Sequence, residues 1–312
     1  MFGANDLKII FGRNKMQLCL GTVQFGMNYG IKNQKKPEIK DALACLDFAT
    51  QNGIYAIDTA TAYGTAEQIT GEFLNKKTLP RENLFISTKL KPNVLDDVES
   101  ENYVRVIREN LKRSLRILHL DYVDAYLLHS SRYAYDTEIL DALAEMKKEG
   151  LARKVGVSVY DVEEALCCMA HKRIEFLQAP YSIFDHRMKV GGVFANVLPN
   201  GCEIDTRSAF IQGLVTMSRD EVPSYLNAAK PILEKLDKIS SETGWSRIDL
   251  AMGYVKHEQE ISHLVFGIDS LEQLKEDIFA FQKEMPDNMY EEIERQFQGI
   301  EADIVMPSLW KR

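Results

Sequence analysis

The sequence predicts a (β/α)8 TIM barrel with an N-terminal β-hairpin, built as a single barrel domain over residues 1–312. Three observations lead there. Short β-prone runs alternate with longer stretches of helical spacing, the mark of βαβ units and a parallel sheet. No stretch rich in Pro, Gly or Ser divides the chain. The first βα turn reads Gly21-Thr22-Val23-Gln24-Phe25-Gly26 and lacks the G-x-G-x-x-G spacing by which an open doubly wound sheet, the alternative architecture, usually declares its cofactor.

The β-prone runs are Gln17–Gly21, Ala56–Asp58, 84–89, 123–129, 154–158, Phe176–Pro180, 202–206 and 264–267. Upstream, 7–11 and the turn 12–15 read as a hairpin region (1–16) placed to plug the lower end of the barrel. Between 101 and 118, Val104, Ile107, Leu111, Leu115 and Leu118 form one apolar stripe. Gly53 stops the helix that starts near Pro37. Thr137 caps a helix carrying Leu140, Leu143 and Ala144, which Gly150 stops. Gly244 stops the helix containing Leu233, Leu236 and Ile239, and Ser270 caps one carrying Leu271, Leu274, Ile278 and Phe281. A C-terminal helix and tail (285–312) complete the chain, and the helix Asp287–Phe297 shows no dimerisation stripe.

The net charge of −8 argues against a nucleic-acid partner, since phosphate binding needs a basic surface. No apolar run approaches the roughly 18 residues that would span a membrane, and the first residues lack the pattern of a secretory leader. Five cysteines without metal spacing (Cys19, Cys45 and Cys202 in apolar segments, Cys167 and Cys168 as helix packing) read as reduced, so the protein is expected in the cytoplasm with no metal.

In a parallel barrel, catalytic groups stand at the C-terminal ends of strands. Asp58 ends the second strand with Tyr63 just beyond it, Lys89 ends the third and His129 the fourth. Each alone has a bland reading: a turn cap, a loop aromatic, a loop lysine, a core histidine. Together they form a coherent acid. A phenol has a pKa of about 10 and rarely gives up its proton near neutrality. An ammonium such as Lys89 lowers that value, Asp58 supplies the lysine's counter-charge, and His129 donates a hydrogen bond to a carbonyl oxygen. Tyr63 then protonates that oxygen while the carbon accepts a hydride.

These residues resemble the aldo-keto reductase family. The likeness runs through Leu20-Gly21-Thr22, Ile57-Asp58-Thr59-Ala60, Tyr63-Gly64 and Glu67, then 85–89 and Leu128-His129. It continues in Val155-Gly156-Val157-Ser158, Gln178, Tyr181-Ser182, Gln212-Gly213-Leu214 and Gly267 with Ser270, Glu272, Gln273 and Leu274. It implies an NAD(P)H-dependent reductase with the tetrad Asp58, Tyr63, Lys89 and His129, and an extended dinucleotide across the barrel mouth. Ser158 and Gln178 would hold its carboxamide, and Thr22 and Asp58 would approach the nicotinamide ribose. Arg207, Ser208, Phe210, Gln212, Gly213 and Leu214 would line the nicotinamide face and the pyrophosphate. Gly267, Ser270, Gln273 and Asp277 would meet the adenosine. The family's usual cofactor is NADP, with NAD open here because Ile268-Asp269 stands where many members place a cation for the 2′-phosphate. Val159 replaces a frequent Asn, Arg207 a frequent aromatic, and Asp277 a frequent Asn.

Substrate candidates are Phe25, Met27, Asn28 and Tyr29, the segments 130–135 and 184–187, and the tail 306–310. Within them Tyr29, Tyr133 and Trp310 offer stacking faces, and Asn28, Ser130, Arg132 and Arg187 offer polar contacts. The mix suits a sugar-like or small polar carbonyl substrate. Two other functions stay open: a cofactor-binding redox sensor with weak turnover, and a barrel aldolase forming a Schiff base on Lys89.

Overall fold

A computed structural model describes residues 16–31, 35–76 and 79–311. Eight parallel strands close into a barrel in chain order, the eighth pairing back onto the first. They are β1 (Gln17–Gly21), β2 (Ala56–Asp58), β3 (Phe85–Leu90), β4 (Val123–Leu128), β5 (Ala152–Ser158), β6 (Phe176–Pro180), β7 (Glu203–Arg207) and β8 (Ile261–Gly267). The (β/α)8 TIM barrel expected from the sequence is the fold. The expected hairpin at 7–15 lies outside the described residues. Strand boundaries move slightly: β3 runs past Lys89 to Leu90, β4 stops at Leu128, and β8 begins at Ile261.

Parallel neighbours need crossover connections, and helices supply them. In Tyr103–Leu118 the residues Ile107, Leu111, Leu115 and Leu118 are buried, as their spacing of three and four demands. The helix Thr137–Lys148 is capped one residue earlier than expected. The Asp136 carboxylate accepts from the N–H groups of Glu138 and Ile139 at 2.9 and 3.1 Å, and an anion at a helix start is favoured over a hydroxyl. Ser270 caps Leu271–Gln282 as expected, accepting from the Gln273 N–H at 3.2 Å. The helix Asp287–Phe297 packs Tyr290, Ile293 and Phe297 inward, and Glu294 pairs with Lys189 at 3.0 Å.

Side chains alternate between the two faces of each strand. The outward residues join the helices in the main core. Inside the barrel, Cys19, Ala56 and Val265 form one small apolar cluster and Ala125, Leu127 and Phe176 another, both against Phe85. Two residues further along the same inward rows the chemistry turns polar, with Asp58 after Ala56, His129 after Leu127 and Gln178 after Phe176. The strand period therefore lifts these groups into one layer at the upper rim. Among the described residues no helix is long and apolar enough to cross a membrane.

Candidate active site

Asp58, the last residue of β2, is the hub of this layer. Its carboxylate accepts from Lys89 Nζ at 2.6 Å on both oxygens, from Ser87 Oγ at 2.8 Å and from Gln178 Nε2 at 2.8 Å. Lys89 also donates to the Thr59 carbonyl at 3.1 Å and is fully buried. Two strands of the same sheet thus deliver donors to one carboxylate, because Ser87 and Lys89 share the inward face of β3 and Gln178 arrives from β6.

Tyr63 lies in the turn after β2, and a pair of glycines presses that turn onto the short helix Val23–Gly26. A Cβ on Gly26 would sit 1.7 Å from the Tyr63 carbonyl oxygen, and one on Gly64, at φ +57°, would sit 2.3 Å from the Gly26 oxygen. Only residues without a side chain allow this approach, and the Thr65 N–H completes it by donating to the Gly26 carbonyl at 3.2 Å. The result places the Tyr63 ring centre 5.2 Å from Lys89 Nζ and 5.6 Å from the His129 ring, edge to face. Asp58, Tyr63, Lys89 and His129 are therefore brought together as the sequence implies.

Their electrostatics differ from expectation in one respect. Lys89 does not pull the Tyr63 phenol down. Burial first, and then the Asp58 carboxylate, push it well above its ordinary range, with Arg207 the cation that opposes them. The reason is geometric: the Lys89 charge is neutralised by Asp58 at 2.6 Å. Burial, followed by the charges of Lys89 and Arg207, drives His129 down to about 3, so its imidazole is neutral. The His129 Nδ1 is buried without a hydrogen-bond partner.

Above the layer opens a cleft of about 1120 Å³. That exceeds the roughly 300–1,000 Å³ of a drug-sized site and leaves room for a dinucleotide with a substrate beside it. Thr22, Asp58, Tyr63, His129, Ser158 and Gln178 line its chemistry end. The loop after β7 contributes Arg207, Ser208, Phe210, Gln212 and Gly213. The start of the helix after β8 contributes Gly267, Ser270, Gln273 and Asp277. Leu214 does not join them: its side chain is fully buried in the core. Lys89 lies beneath the cleft surface, behind Asp58 and Tyr63.

The β7 loop is strained. Ser208, Ile211 and Gln212 take φ of 68°, 48° and 55°, and a β-branched residue in the left-handed region is a genuine outlier. Such conformations persist where the surroundings fix them, and they cluster at binding sites. Here Ile211 is buried, and the Gln212 carbonyl accepts the Ile31 N–H at 3.0 Å, tying this loop to the one after β1. The Gln212 amide donates to the Tyr29 hydroxyl at 3.2 Å.

Several buried polar atoms along the cleft lack partners. Gln178 spends its amide N–H on Asp58, leaving Oε1 unmatched; Gln24 Oε1 and both Asp277 oxygens are also unmatched. These fit a nicotinamide dinucleotide, since a carboxamide NH2 is the donor Gln178 Oε1 lacks. Burial pushes the Asp277 carboxyl up to about 8, so it is protonated at neutral pH and presents one donor and one acceptor, as an Asn amide would. Besides this neutral Asp277, the ionisable residues lining the same end of the cleft, Asp269 and Glu276 with Glu221, are all acidic.

Of the substrate candidates, Tyr29, Pro307, Ser308 and Trp310 line the cleft. The others do not, and six of them are engaged elsewhere. Phe25 is core. Asn28 accepts the Lys36 N–H at 3.1 Å, Ser130 donates to Asn93 at 3.0 Å, and Arg132 pairs with Asp96. Tyr133 donates to Asp96 at 2.5 Å, and Arg187 pairs with Asp185 at 2.7 Å. Sequence reading passed over Gln24, Tyr160, Glu221 and Ser87. Only Ser87 carried a signal, being two residues before Lys89 on the same face of its strand.

A model of the aldo/keto reductase family matches residues 17–296. The chain is 28% identical to the NADH-specific methylglyoxal reductase of Escherichia coli, over 79% of this chain and 85% of that one. It is likewise 28% identical to protein tas of the same organism, over 89% and 92%. Among solved structures, an aldo-keto reductase from Bacillus halodurans superposes with a TM-score of 0.72 at 23% identity, covering 90% of this chain and 91% of that one.

Proposed function

The chain belongs to the aldo/keto reductase family and is an NAD(P)H-dependent oxidoreductase; from that premise we propose that it reduces a small polar aldehyde or ketone with Tyr63 as the proton donor. The observation that carries the reading is a phenol kept protonated by burial, edge to face with a neutral His129 and 5.2 Å above the Lys89 ammonium. The dinucleotide, when bound, supplies a hydride to the carbonyl carbon. His129 orients and polarises the carbonyl oxygen. Its Nδ1 has no partner, so the imidazole proton is better placed on Nε2, which is free to donate. Tyr63 passes its proton to the oxygen as negative charge develops there. Arg207 is the cation that limits the cost of the phenolate left behind, while the Lys89–Asp58 pair lies beneath the phenol with its charges matched.

Thr22, Asp58, Ser158 and Gln178 would hold the nicotinamide end. Ser208, Phe210, Gln212 and Gly213 would follow the pyrophosphate, and Gly267, Ser270, Gln273 and Asp277 the adenosine. An adenosine end lined by carboxylates favours NADH over NADPH, whose 2′-phosphate meets no cation there among the described residues. The NADH-specific Escherichia coli relative points the same way, and its substrate supports a small 2-oxoaldehyde or similarly polar carbonyl. The five unpaired cysteines support a cytoplasmic location. A Schiff-base role for Lys89 is disfavoured, since Nζ is buried and held by Asp58 and Thr59.

The test follows reduced-cofactor absorbance with a panel of aldehydes for the parent and Tyr63→Phe. The expected loss in kcat is at least about 100-fold, the usual worth of a positioned acid, with NADH affinity retained. Equal rates in the two proteins would refute the acid assignment. Cofactor binding without turnover of any carbonyl by the parent would favour the sensor.

A further inference from the structure

Arg207 is anomalous among the half-buried arginines. Among the described residues the others each face a carboxylate: Arg81 with Asp124, Arg108 with Glu149, Arg187 with Asp185 and Arg247 with Asp237. Arg207 ends β7 and, among the described residues, has no carboxylate partner, in a chain whose net charge is −8. It is nevertheless held in place. One nitrogen donates to the Val159 carbonyl at 3.0 Å, another to Ser208 Oγ at 3.3 Å, and the guanidinium lies 4.4 Å over the Tyr160 ring. The acidic groups closest to the chemistry do not serve it, because Asp58 is already saturated by Lys89, Ser87 and Gln178.

Its position is as telling as its lack of a partner. Arg207 lines the cleft together with Tyr63 and His129, and its charge is felt at both, easing the phenol down and pressing the imidazole lower. The guanidinium leans toward β5, where Val159 and Tyr160 receive it, and away from β8, where the acidic adenosine end begins. Fixing an uncompensated, five-donor cation beside a reaction centre is costly unless an anion meets it there.

We propose that Arg207 anchors an anionic group of the substrate, so that the preferred substrate is an aldehyde or ketone bearing a carboxylate or a phosphate. This rests on the carbonyl-reductase reading above and narrows it to one charge class. Arg207 binds the oxyanion through its remaining N–H groups. The carbonyl of the same molecule is thereby directed toward His129 and Tyr63.

The experiment compares matched pairs: succinic semialdehyde against butanal for the carboxylate, and glyceraldehyde 3-phosphate against glyceraldehyde for the phosphate. The expected kcat/KM preference for the anionic member of at least one pair is about 10- to 100-fold, the usual worth of a charge-assisted hydrogen bond. Which pair shows it identifies the oxyanion. In Arg207→Gln the anionic-to-neutral ratio collapses toward one, and Arg207→Lys retains part of it. Raising salt lowers the ratio in the parent. A second readout is independent of turnover: calorimetric titration with succinate and with inorganic phosphate, in which the parent binds one and Arg207→Gln does not. If both pairs are reduced alike, or if Arg207→Gln depresses both members equally while weakening NADH binding, the guanidinium serves the cofactor and the proposal falls. If no carbonyl is reduced at all, the catalytic reading fails, and the titration alone decides whether Arg207 holds an anion.

Discussion

Replacing Asp58 by Asn removes the anion that faces a fully buried lysine. Lys89 Nζ has two contacts of 2.6 Å to this carboxylate and one of 3.1 Å to the Thr59 carbonyl, and its side chain is 1% exposed. An asparagine leaves the ammonium with neutral acceptors only, and breaking one partner of a buried pair costs about 3–5 kcal/mol. At about 2.1 cal/mol/K of unfolding entropy per residue over 312 residues, that lowers the thermal midpoint by about 5–8 °C. Lys89→Met leaves Asp58 with Ser87 and Gln178 as donors, so its cost is smaller. The double substitution removes both charges, and its destabilisation falls well short of the sum of the singles. Calorimetry or circular dichroism on the four proteins closes the cycle. All three variants lose reductase activity, so only the midpoints discriminate. A single-variant shift under 1 °C, or strict additivity in the double, would refute the view of this pair as a mutually dependent buried unit.

Gly26→Ala forces a methyl group into the Tyr63 carbonyl at 1.7 Å. Displacing the acid by about 1 Å lowers kcat on the order of 100-fold with NADH affinity less affected; kinetics indistinguishable from the parent would show that the glycine contact does not position Tyr63. Because His129 is held near 3 and the phenol well above its usual range, kcat/KM for reduction stays flat across neutral pH; an inflection near pH 6.5 that vanishes in His129→Gln would contradict this. Asp277 is raised from 3.8 to about 8 in the folded state, so the native protein holds a proton there that the unfolded chain has released. Stability from this group falls as pH rises through that window, by at most about 1.4 kcal/mol per pH unit. Asp277→Asn escapes the loss, and its thermal-midpoint advantage over the parent widens from pH 5 to pH 8; a constant difference would mean the buried carboxyl is already ionised. NADH affinity of the parent weakens above pH 8 and that of Asp277→Asn does not, as fluorescence titration would read.

The barrel and its polar upper rim were legible in sequence because both rest on local periodicity. A strand of period two fixes which side chains point inward, so Asp58, Lys89 and His129 declare themselves by standing in line with Ala56, Phe85 and Leu127. Contacts between distant loops leave no such trace. Nothing in the segment 130–135 announces that Asp96 and Asn93 will occupy Arg132, Tyr133 and Ser130, which converts an apparent substrate loop into a structural one. Leu214 follows residues that line the cleft, yet turns inward because the loop reverses at Ile211 and Gln212. The helix cap falls on Asp136 and not Thr137 because adjacent residues can both cap, and the carboxylate is favoured over the hydroxyl at a helix start. The direction of the Tyr63 shift was misjudged for a related reason. Sequence gives the charges near a phenol, whereas the outcome depends on how deeply it is buried and on whether its cation is already paired.

In the proposed reduction, that direction alters how the site would stabilise the developing alkoxide. A phenol with a high proton affinity is a reluctant donor, so the oxygen it protonates must first become strongly basic, and the surroundings must tolerate that negative charge. The chain carries a net charge of −8, and the carboxylate nearest the reaction centre, Asp58, is matched by three donors. What remains exposed to the reacting oxygen is a neutral imidazole, with the Arg207 guanidinium within electrostatic reach of both His129 and Tyr63. Dipoles and charges fixed in advance stabilise such an oxygen without reorganising as it forms, which is where the largest catalytic contributions arise. On this view Asp58 matters less as the agent that lowers a pKa than as the counter-charge that keeps Lys89 buried and its own negative charge quenched. The cationic rim of β7 can then act on the substrate without an acidic neighbour cancelling it.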